Sequence, residues 1–162
     1  MLPVLKEGDK APDFTLEDQL GEKVKLSDHR KELVVLYFYP KASTSGCTTQ
    51  ACSIRDNSAD YAKAGATVIG ISPDEVKDIS RFATKNDLEF TLVADKDHKV
   101  AEKYGTWVEK SMYGNKYMGV QRATFIIRGG KILRVFPKVQ PKKHDGLVLG
   151  ALAEINEENR DV

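Results

Sequence analysis

The chain has 162 residues, with 25 Lys and Arg against 24 Asp and Glu, which gives a formal net charge of +1 at pH 7. This length suits one domain, and we predict a single domain over residues 1–162. The charge balance predicts no nucleic-acid partner, and the longest apolar run, residues 33–39, is too short to cross a membrane.

The predicted elements alternate between strands and helices along the chain. In order they are a small N-terminal hairpin of 14–16 and 24–26 around Gly21, a buried strand over 33–39, a helix over 48–63 stopped by Gly65, a strand over 66–72, a helix over 74–85 with Pro73 in its first turn, a strand over 90–94, a helix over 98–104, strands over 123–127 and 131–136, and a helix over 145–156.

This order predicts an α/β fold. The first strands are joined through helices and must run parallel by right-handed crossovers. The last two strands flank Gly129-Gly130 and form an antiparallel hairpin. The expected architecture is therefore a thioredoxin-like fold, with a mixed central sheet flanked by helices and an N-terminal β extension.

The cysteine content predicts a reactive pair. The chain has two cysteines, Cys47 and Cys52, too few for a disulfide-stapled scaffold or a four-cysteine zinc site. The first residues show no basic region followed by an apolar stretch, so no secretory signal is expected. We therefore expect a cytoplasmic protein, and in a reducing compartment a cysteine pair is more often reactive than structural.

Cys47 follows the predicted buried strand and a short polar loop, near the start of a helix. If Ser45 caps this helix, Gly46 and Cys47 occupy its first two positions. The unpaired N–H groups and the dipole at a helix start favour negative charge, and the thiolate is the nucleophilic form of cysteine. The alternative is a structural role, because a free cysteine on an apolar helix stripe is usually a small buried hydrophobe.

Cys52 lies five residues after Cys47 and therefore on a different face of the helix, about 140° away. The two Cα atoms should be about 8–9 Å apart in an intact helix, whereas a disulfide needs them within roughly 7 Å. A bond between these two residues therefore requires the helix to unwind.

The remaining candidate groups are three histidines and two aromatic residues. His29, His98 and His144 show no ligand spacing near the cysteines, so we expect no metal site and place these histidines at the surface. A Cys–His hydrolase remains a minor alternative. Trp107 and Tyr37 are expected to be core aromatics.

Two segments carry a resemblance to a known family. Residues 39–52 contain Pro40, Thr44 and Cys47 in a Pro-x-x-x-Thr-x-x-Cys pattern, and residues 113–127 contain Arg122. In these segments, and in its opening residues 8–14, the sequence closely resembles the peroxiredoxins, specifically the bacterioferritin comigratory protein or peroxiredoxin Q subfamily. One departure is Ser45, where the subfamily usually has proline.

The resemblance implies a thioredoxin-dependent thiol peroxidase of the atypical 2-Cys type. The Cys47 thiolate would attack hydrogen peroxide or an alkyl hydroperoxide and become a sulfenic acid. Cys52 would resolve this acid as an intramolecular disulfide, and thioredoxin or a similar dithiol protein would reduce the disulfide. The resemblance implies no metal or organic cofactor, and we expect a monomer.

The resemblance also assigns supporting roles. Arg122 would stabilise the thiolate and orient the peroxide, and the Thr44 hydroxyl would contact the thiolate or the peroxide. Pro40 would shield the site from water, and the N–H groups of Gly46 and Cys47 would line it. Gln50 would order the polar network of the pocket.

Two other functions stay open at this point. The first is a redox-sensing switch on the same fold, with a slow disulfide and little turnover. The second is a disulfide oxidoreductase acting on proteins, which the absence of a Cys-x-x-Cys pair disfavours. Peroxide-dependent turnover with thioredoxin distinguishes these functions from a peroxidase.

Overall fold

A computed structural model describes residues 3–160, the last of them by its backbone alone, so that Met1, Leu2, Asp161 and Val162 of the predicted domain lie outside the described residues. In chain order the elements are β1 (Thr15–Glu17), β2 (Lys23–Lys25), a 3₁₀ helix (Leu26–His29), β3 (Leu33–Phe38), α1 (Ser45–Asp56), α2 (Ser58–Lys63), β4 (Ala66–Ser72), α3 (Val76–Lys85), β5 (Thr91–Ala94), α4 (Lys99–Tyr104), β6 (Trp107–Met112), β7 (Asn115–Val120), β8 (Ala123–Arg128), β9 (Lys131–Phe136) and α5 (His144–Arg160).

The central sheet has five strands in the order β5-β4-β3-β8-β9. Strands β3, β4 and β5 run parallel, while β8 is antiparallel to β3 and β9 is antiparallel to β8. The mixed sheet flanked by helices is confirmed. The N-terminal hairpin is also present, with β1 paired to β2.

Strand β3 lies in the middle of the sheet and is buried on both faces. Because side chains alternate along a strand, Val35 and Tyr37 pack on one face with residues of α1, α3 and α5. Val34 and Leu36 pack on the other face with residues of α4. The helix that carries both cysteines is therefore packed directly against the central strand.

Gly70 in β4 makes room for one of the large buried side chains. A Cβ atom at this position would lie 2.8 Å from the Tyr37 ring and 2.8 Å from Leu92. The Tyr37 ring therefore crosses the neighbouring strand where that strand has no side chain. Tyr37 is a core aromatic, as predicted.

Two helix predictions are wrong in detail. The segment 48–63 forms two helices separated at Asn57, whose side chain donates a hydrogen bond to Asp145. The helix predicted over 74–85 begins at Val76, after a capping box formed by Glu75 and Asp78. Pro73 therefore precedes the helix instead of lying in its first turn.

The antiparallel pair β6–β7 was not among the predicted elements. Its turn is formed by Tyr113 and Gly114, with φ of 51° and 81°, which suits a tight two-residue hairpin connection. This hairpin leads directly into the segment that carries Arg122. Within residues 3–160, no helix is long and apolar enough to cross a membrane.

Candidate active site

Cys47 is the third residue of α1 and is 1% exposed. Helix α1 begins at Ser45, and Thr44 occupies the N-cap position with an extended backbone, so the prediction that Ser45 caps the helix is wrong. The first helical bond runs from the Thr48 N–H to the Thr44 carbonyl. Cys47 therefore lies in the first turn, where the N–H groups have no helical acceptor and favour an anion.

The Arg122 guanidinium contacts Cys47 directly. Its Nη2 donates to the Cys47 Sγ at 3.3 Å, and its Nη1 donates to the Gln50 Oε1 at 2.5 Å. Arg122 lies between β7 and β8, and its carbonyl accepts a bond from the Val139 N–H at 3.0 Å. The fold thus places a permanent cation against the buried Cys47 thiol.

Gly46 allows this close approach. A Cβ atom at Gly46 would lie 3.2 Å from the Arg122 Nη2 and 3.5 Å from the Pro141 Cγ. Pro141 was not among the predicted site residues, because nothing in its local sequence shows that its loop returns to α1. Next to Gly46, a surface depression is lined by Ser45, Thr49, Pro141 and Lys142.

Thr44 and Pro40 lie on the loop between β3 and α1. The exposed Thr44 hydroxyl donates to the Lys41 carbonyl at 2.8 Å, and it does not donate to Cys47. Its oxygen lone pairs remain able to accept a hydrogen bond. Pro40 is half-buried at the end of the buried strand.

Gln50 is fully buried one turn after Cys47, on the side of α1 that faces Arg122. Its Oε1 accepts from Arg122, while its Nε2 has no hydrogen-bond partner among residues 3–160. An unpaired buried donor is costly, so this amide is a candidate contact for a bound ligand.

Lys110 is a second cation near this site, and the sequence reasoning missed it. It lies half-buried on the β6–β7 hairpin, where a Cβ atom at Gly119 would be 3.3 Å from its Cδ. Burial, together with the positive charge of Arg122, lowers the pKa of Lys110. Burial, together with the neighbouring Tyr39 and Cys47, raises the pKa of Tyr37 well above its usual value and keeps its phenol neutral.

Cys52 has different surroundings. It is half-buried, and its Sγ donates to the Asn86 Oδ1 at 3.7 Å. The two cysteines are free thiols in one continuous helix.

His144 is fully buried, so its predicted surface position is wrong. Its Nδ1 lies 3.1 Å from the Asp145 carboxylate, and its Nε2 lies 2.9 Å from the Thr124 Oγ1. Asp145 also accepts from Ser53 and from Tyr61. The Asn57 Nδ2 donates to the same carboxylate at 2.9 Å.

This network determines the ionisation of Asp145. Burial raises the pKa of Asp145, but the hydrogen bonds from His144, Ser53, Tyr61 and Asn57 outweigh burial and hold the pKa at about 2. The carboxylate thus ties the end of α1, the start of α2 and the start of α5 together in its ionised form.

The other two histidines, predicted at the surface, and Trp107, predicted in the core, are all partly buried. His29 and His98 are half-buried and pair with Glu32 and Glu102. Trp107 is also half-buried, packs at the edge of the core and stacks on His98 with ring centroids 3.8 Å apart. Residues 3–160 contain no group of three or more side chains suited to a metal ion.

Comparison with known proteins identifies the family. The model of the AhpC/TSA family matches residues 7–136. The chain belongs to the AhpC/TSA family. It is 50% identical to peroxiredoxin Bcp of Escherichia coli strain K12, over 93% of this chain and 97% of the relative, and 42% identical to peroxiredoxin Bcp of Bacillus subtilis, over 93% and 96%.

Two solved structures agree with this assignment. The structure of BcpB from Mycobacterium tuberculosis is 36% identical, has a TM-score of 0.83 and is matched over 93% of this chain and 98% of that one. A mutant of PrxQ from Xylella fastidiosa is 28% identical, with a TM-score of 0.88 over 96% and 99%. The predicted subfamily and the thioredoxin-like fold are confirmed.

The chain is accordingly a thiol-dependent peroxidase of the Bcp and PrxQ type. Peroxiredoxins of this type are thioredoxin-dependent enzymes of the atypical 2-Cys class. The family implies peroxide substrates and a thioredoxin-like reductant.

Proposed function

We propose that Cys47 is the residue that reacts with peroxide. The observation that carries this proposal is the 3.3 Å contact between the Arg122 guanidinium and the Cys47 Sγ, in the first turn of a helix. A buried thiol between a permanent cation and unpaired N–H groups is poised to ionise and to attack an electrophilic oxygen. Cys52 lies beyond the first turn of α1, and its Sγ contacts the Asn86 amide oxygen instead of a guanidinium.

The peroxide step begins with the Cys47 thiolate and the outer oxygen of a hydroperoxide. The S–O bond forms as the O–O bond breaks, which oxidises the sulfur to a sulfenic acid and reduces the peroxide. The leaving oxygen takes up a proton and departs as water or an alcohol.

Five further residues support the peroxide step. Arg122 stabilises the charge on both the thiolate and the leaving oxygen. Thr44 accepts a hydrogen bond from the peroxide, and Gln50 offers its buried Nε2 as a donor. Gly46 contributes its N–H and leaves space for Arg122, and Pro40 shields the pocket from water.

Resolution follows in the same chain. The Cys52 sulfur attacks the Cys47 sulfenic acid, the S–S bond forms, and the hydroxyl leaves with the Cys52 proton as water. Because the two thiols point away from each other on an intact helix, the residues between them unwind first. Thioredoxin, or a similar dithiol protein, then restores both thiols by exchange.

The proposed substrates are hydrogen peroxide and alkyl hydroperoxides. The bacterioferritin comigratory protein of Xanthomonas campestris, 34% identical to this chain, is described as having alkyl peroxide reduction activity. We propose that this chain acts as a single-domain monomer in the cytoplasm, through a cycle that uses no metal or organic cofactor.

A coupled assay with thioredoxin, thioredoxin reductase and NADPH tests the function. The unaltered chain should oxidise NADPH continuously when peroxide is added. Cys47→Ser should show no turnover, while Cys52→Ser should reduce one equivalent of peroxide and then stop. Substantial turnover by Cys47→Ser would overturn the assignment, and a single oxidation without turnover in the unaltered chain would favour the redox-switch alternative.

A further inference from the structure

Asn86 lies outside the peroxide pocket and contacts the resolving cysteine, Cys52. Asn86 ends α3 and meets α1 at Cys52, where the thiol donates to the Asn86 Oδ1 at 3.7 Å. This distance suits a hydrogen bond from sulfur, which is longer and weaker than one between oxygen and nitrogen. The contact joins the resolving thiol to an element 34 residues away in the chain.

Two stronger bonds hold Asn86 in place. Its Nδ2 donates to the Phe82 carbonyl at 3.0 Å, which fixes the side-chain amide against the last turn of α3. The Arg55 Nη1 donates to the Asn86 carbonyl at 2.7 Å, which fixes the backbone of Asn86 against α1. The Oδ1 atom is therefore presented to Cys52 in one orientation.

We propose that Asn86 is a positioning residue for Cys52, holding the resolving thiol against α3 and thereby limiting the rate at which it reaches oxidised Cys47. This proposal rests on the proposed function, in which Cys52 resolves the sulfenic acid. The contact exists only while Cys52 carries its proton. When the disulfide forms, that proton leaves in water, and the Asn86 oxygen loses its donor.

The hydrogen bond between Cys52 and Asn86 therefore stabilises the folded α1 before resolution and contributes nothing to the disulfide product. A hydrogen bond that must break before a reaction adds to its barrier. The hydrogen bond between Cys52 and Asn86 also favours the peroxide step, because the Arg122 contact with Cys47 requires the first turns of α1 to stay folded. Asn86 thus favours the state that reacts with peroxide over the state that resolves.

Two substitutions at Asn86 separate this function from a merely structural one. Asn86→Ala and Asn86→Asp both lose the bond from Nδ2 to the Phe82 carbonyl, but the aspartate keeps an oxygen that can accept from Cys52. After one equivalent of peroxide, the rate of disulfide formation is followed by quenched-flow mass spectrometry. Asn86→Ala should form the disulfide about twofold faster than the unaltered chain. Asn86→Asp should not be faster.

The control is Lys85→Ala, which changes an exposed residue in the last turn of α3 and should leave the rate unaltered. At high peroxide, Asn86→Ala should also accumulate less sulfinic acid, because a faster resolution leaves less sulfenic acid to be oxidised. An unchanged rate in Asn86→Ala would overturn the proposal. Equal acceleration in the alanine and aspartate variants would also overturn it, because a loosened end of α3 would then explain both.

Failure of the underlying function would give a different result. If the unaltered chain formed no bond between Cys47 and Cys52 after peroxide treatment, the proposed resolution step would be refuted, and the function of Asn86 with it. If the bond formed normally and the Asn86 variants did not behave as stated, the function of Asn86 alone would be refuted.

Discussion

The two cysteines share one helix but lie in opposite kinds of surroundings. Cys47 is 1% exposed and contacts the Arg122 guanidinium, which reaches it from a segment 75 residues away. Cys52 is half-buried and contacts the neutral amide oxygen of Asn86. Cys47 therefore faces a permanent cation and the unpaired N–H groups of a helix start, whereas Cys52 faces a neutral hydrogen-bond acceptor.

The proposed cycle therefore uses two states of α1, one with its first turns folded and one with them unwound. The surroundings of Cys47 exist only while the first turns of α1 are folded, because Gly46 and Gln50 position Arg122 from that helix. Resolution needs those same turns to unwind. The peroxide step therefore requires order in the segment that the resolution step must disorder.

The largest effect is expected from removing the cation at Cys47. Arg122→Ala should lower the thiolate fraction at neutral pH and slow the peroxide step on the order of 100-fold, equivalent to roughly 3 kcal/mol. Arg122→Lys should recover only part of this loss, because an ammonium lacks the planar fork that reaches both Cys47 and Gln50. Stopped-flow rates and thiolate absorbance provide the measurements.

The matched control for this prediction is Arg81→Ala, which removes an arginine from an exposed position on α3. It should leave both the thiolate absorbance and the peroxide rate unaltered. Normal values in Arg122→Ala would show that the difference between the two cysteines does not depend on this cation.

Local patterns predicted the parts of the molecule that depend on neighbouring residues. The apolar run over 33–39 identified the central strand, and the glycines at 129 and 130 identified the last hairpin. The resemblance to the peroxiredoxins, carried by one segment around Cys47 and another around Arg122, indicated two groups that the fold brings together. Each of these features is encoded within about fifteen residues.

Features that depend on distant contacts were not predictable in this way. The break at Asn57 coincides with its hydrogen bond to Asp145, 88 residues away. The buried His144 lies 2.9 Å from the Thr124 Oγ1, 20 residues away, and packs beside the Tyr37 ring. The Asn86 contact and the Pro141 contact have the same origin in tertiary packing. No local pattern could have shown them.

The Asp145 network provides the next test, because it fixes the part of α1 that follows Cys52. The pKa of Asp145 is about 2, below the value of roughly 4 expected in the unfolded chain. Its stabilisation is therefore present above about pH 4 and is lost as the pH falls from about 4 towards 2. Over that range the free energy of unfolding should fall by roughly 2 kcal/mol on account of this group.

Asp145→Asn should remove this acid-dependent contribution and destabilise the protein at neutral pH, as measured by urea unfolding at several pH values. Asp60→Asn, which changes an exposed carboxylate on α2, is the control and should alter neither quantity appreciably. An unchanged acid dependence in Asp145→Asn would show that the network does not hold the end of α1.

The smallest effect concerns where the unwinding stops. Ser53 follows Cys52 directly and donates to Asp145 at 2.6 Å, so we expect unwinding to end before Ser53 and α2 to stay folded in the disulfide form. Ser53→Ala should then lower the hydrogen-exchange protection of α2 by about tenfold in both the reduced and the oxidised protein, because the lost bond exists in both. Ser58→Ala, an exposed serine at the start of α2, is the control. If the effect of Ser53→Ala disappeared on oxidation, the Ser53 bond would already be broken in the disulfide form, and the open region would extend beyond the turn that carries Cys52.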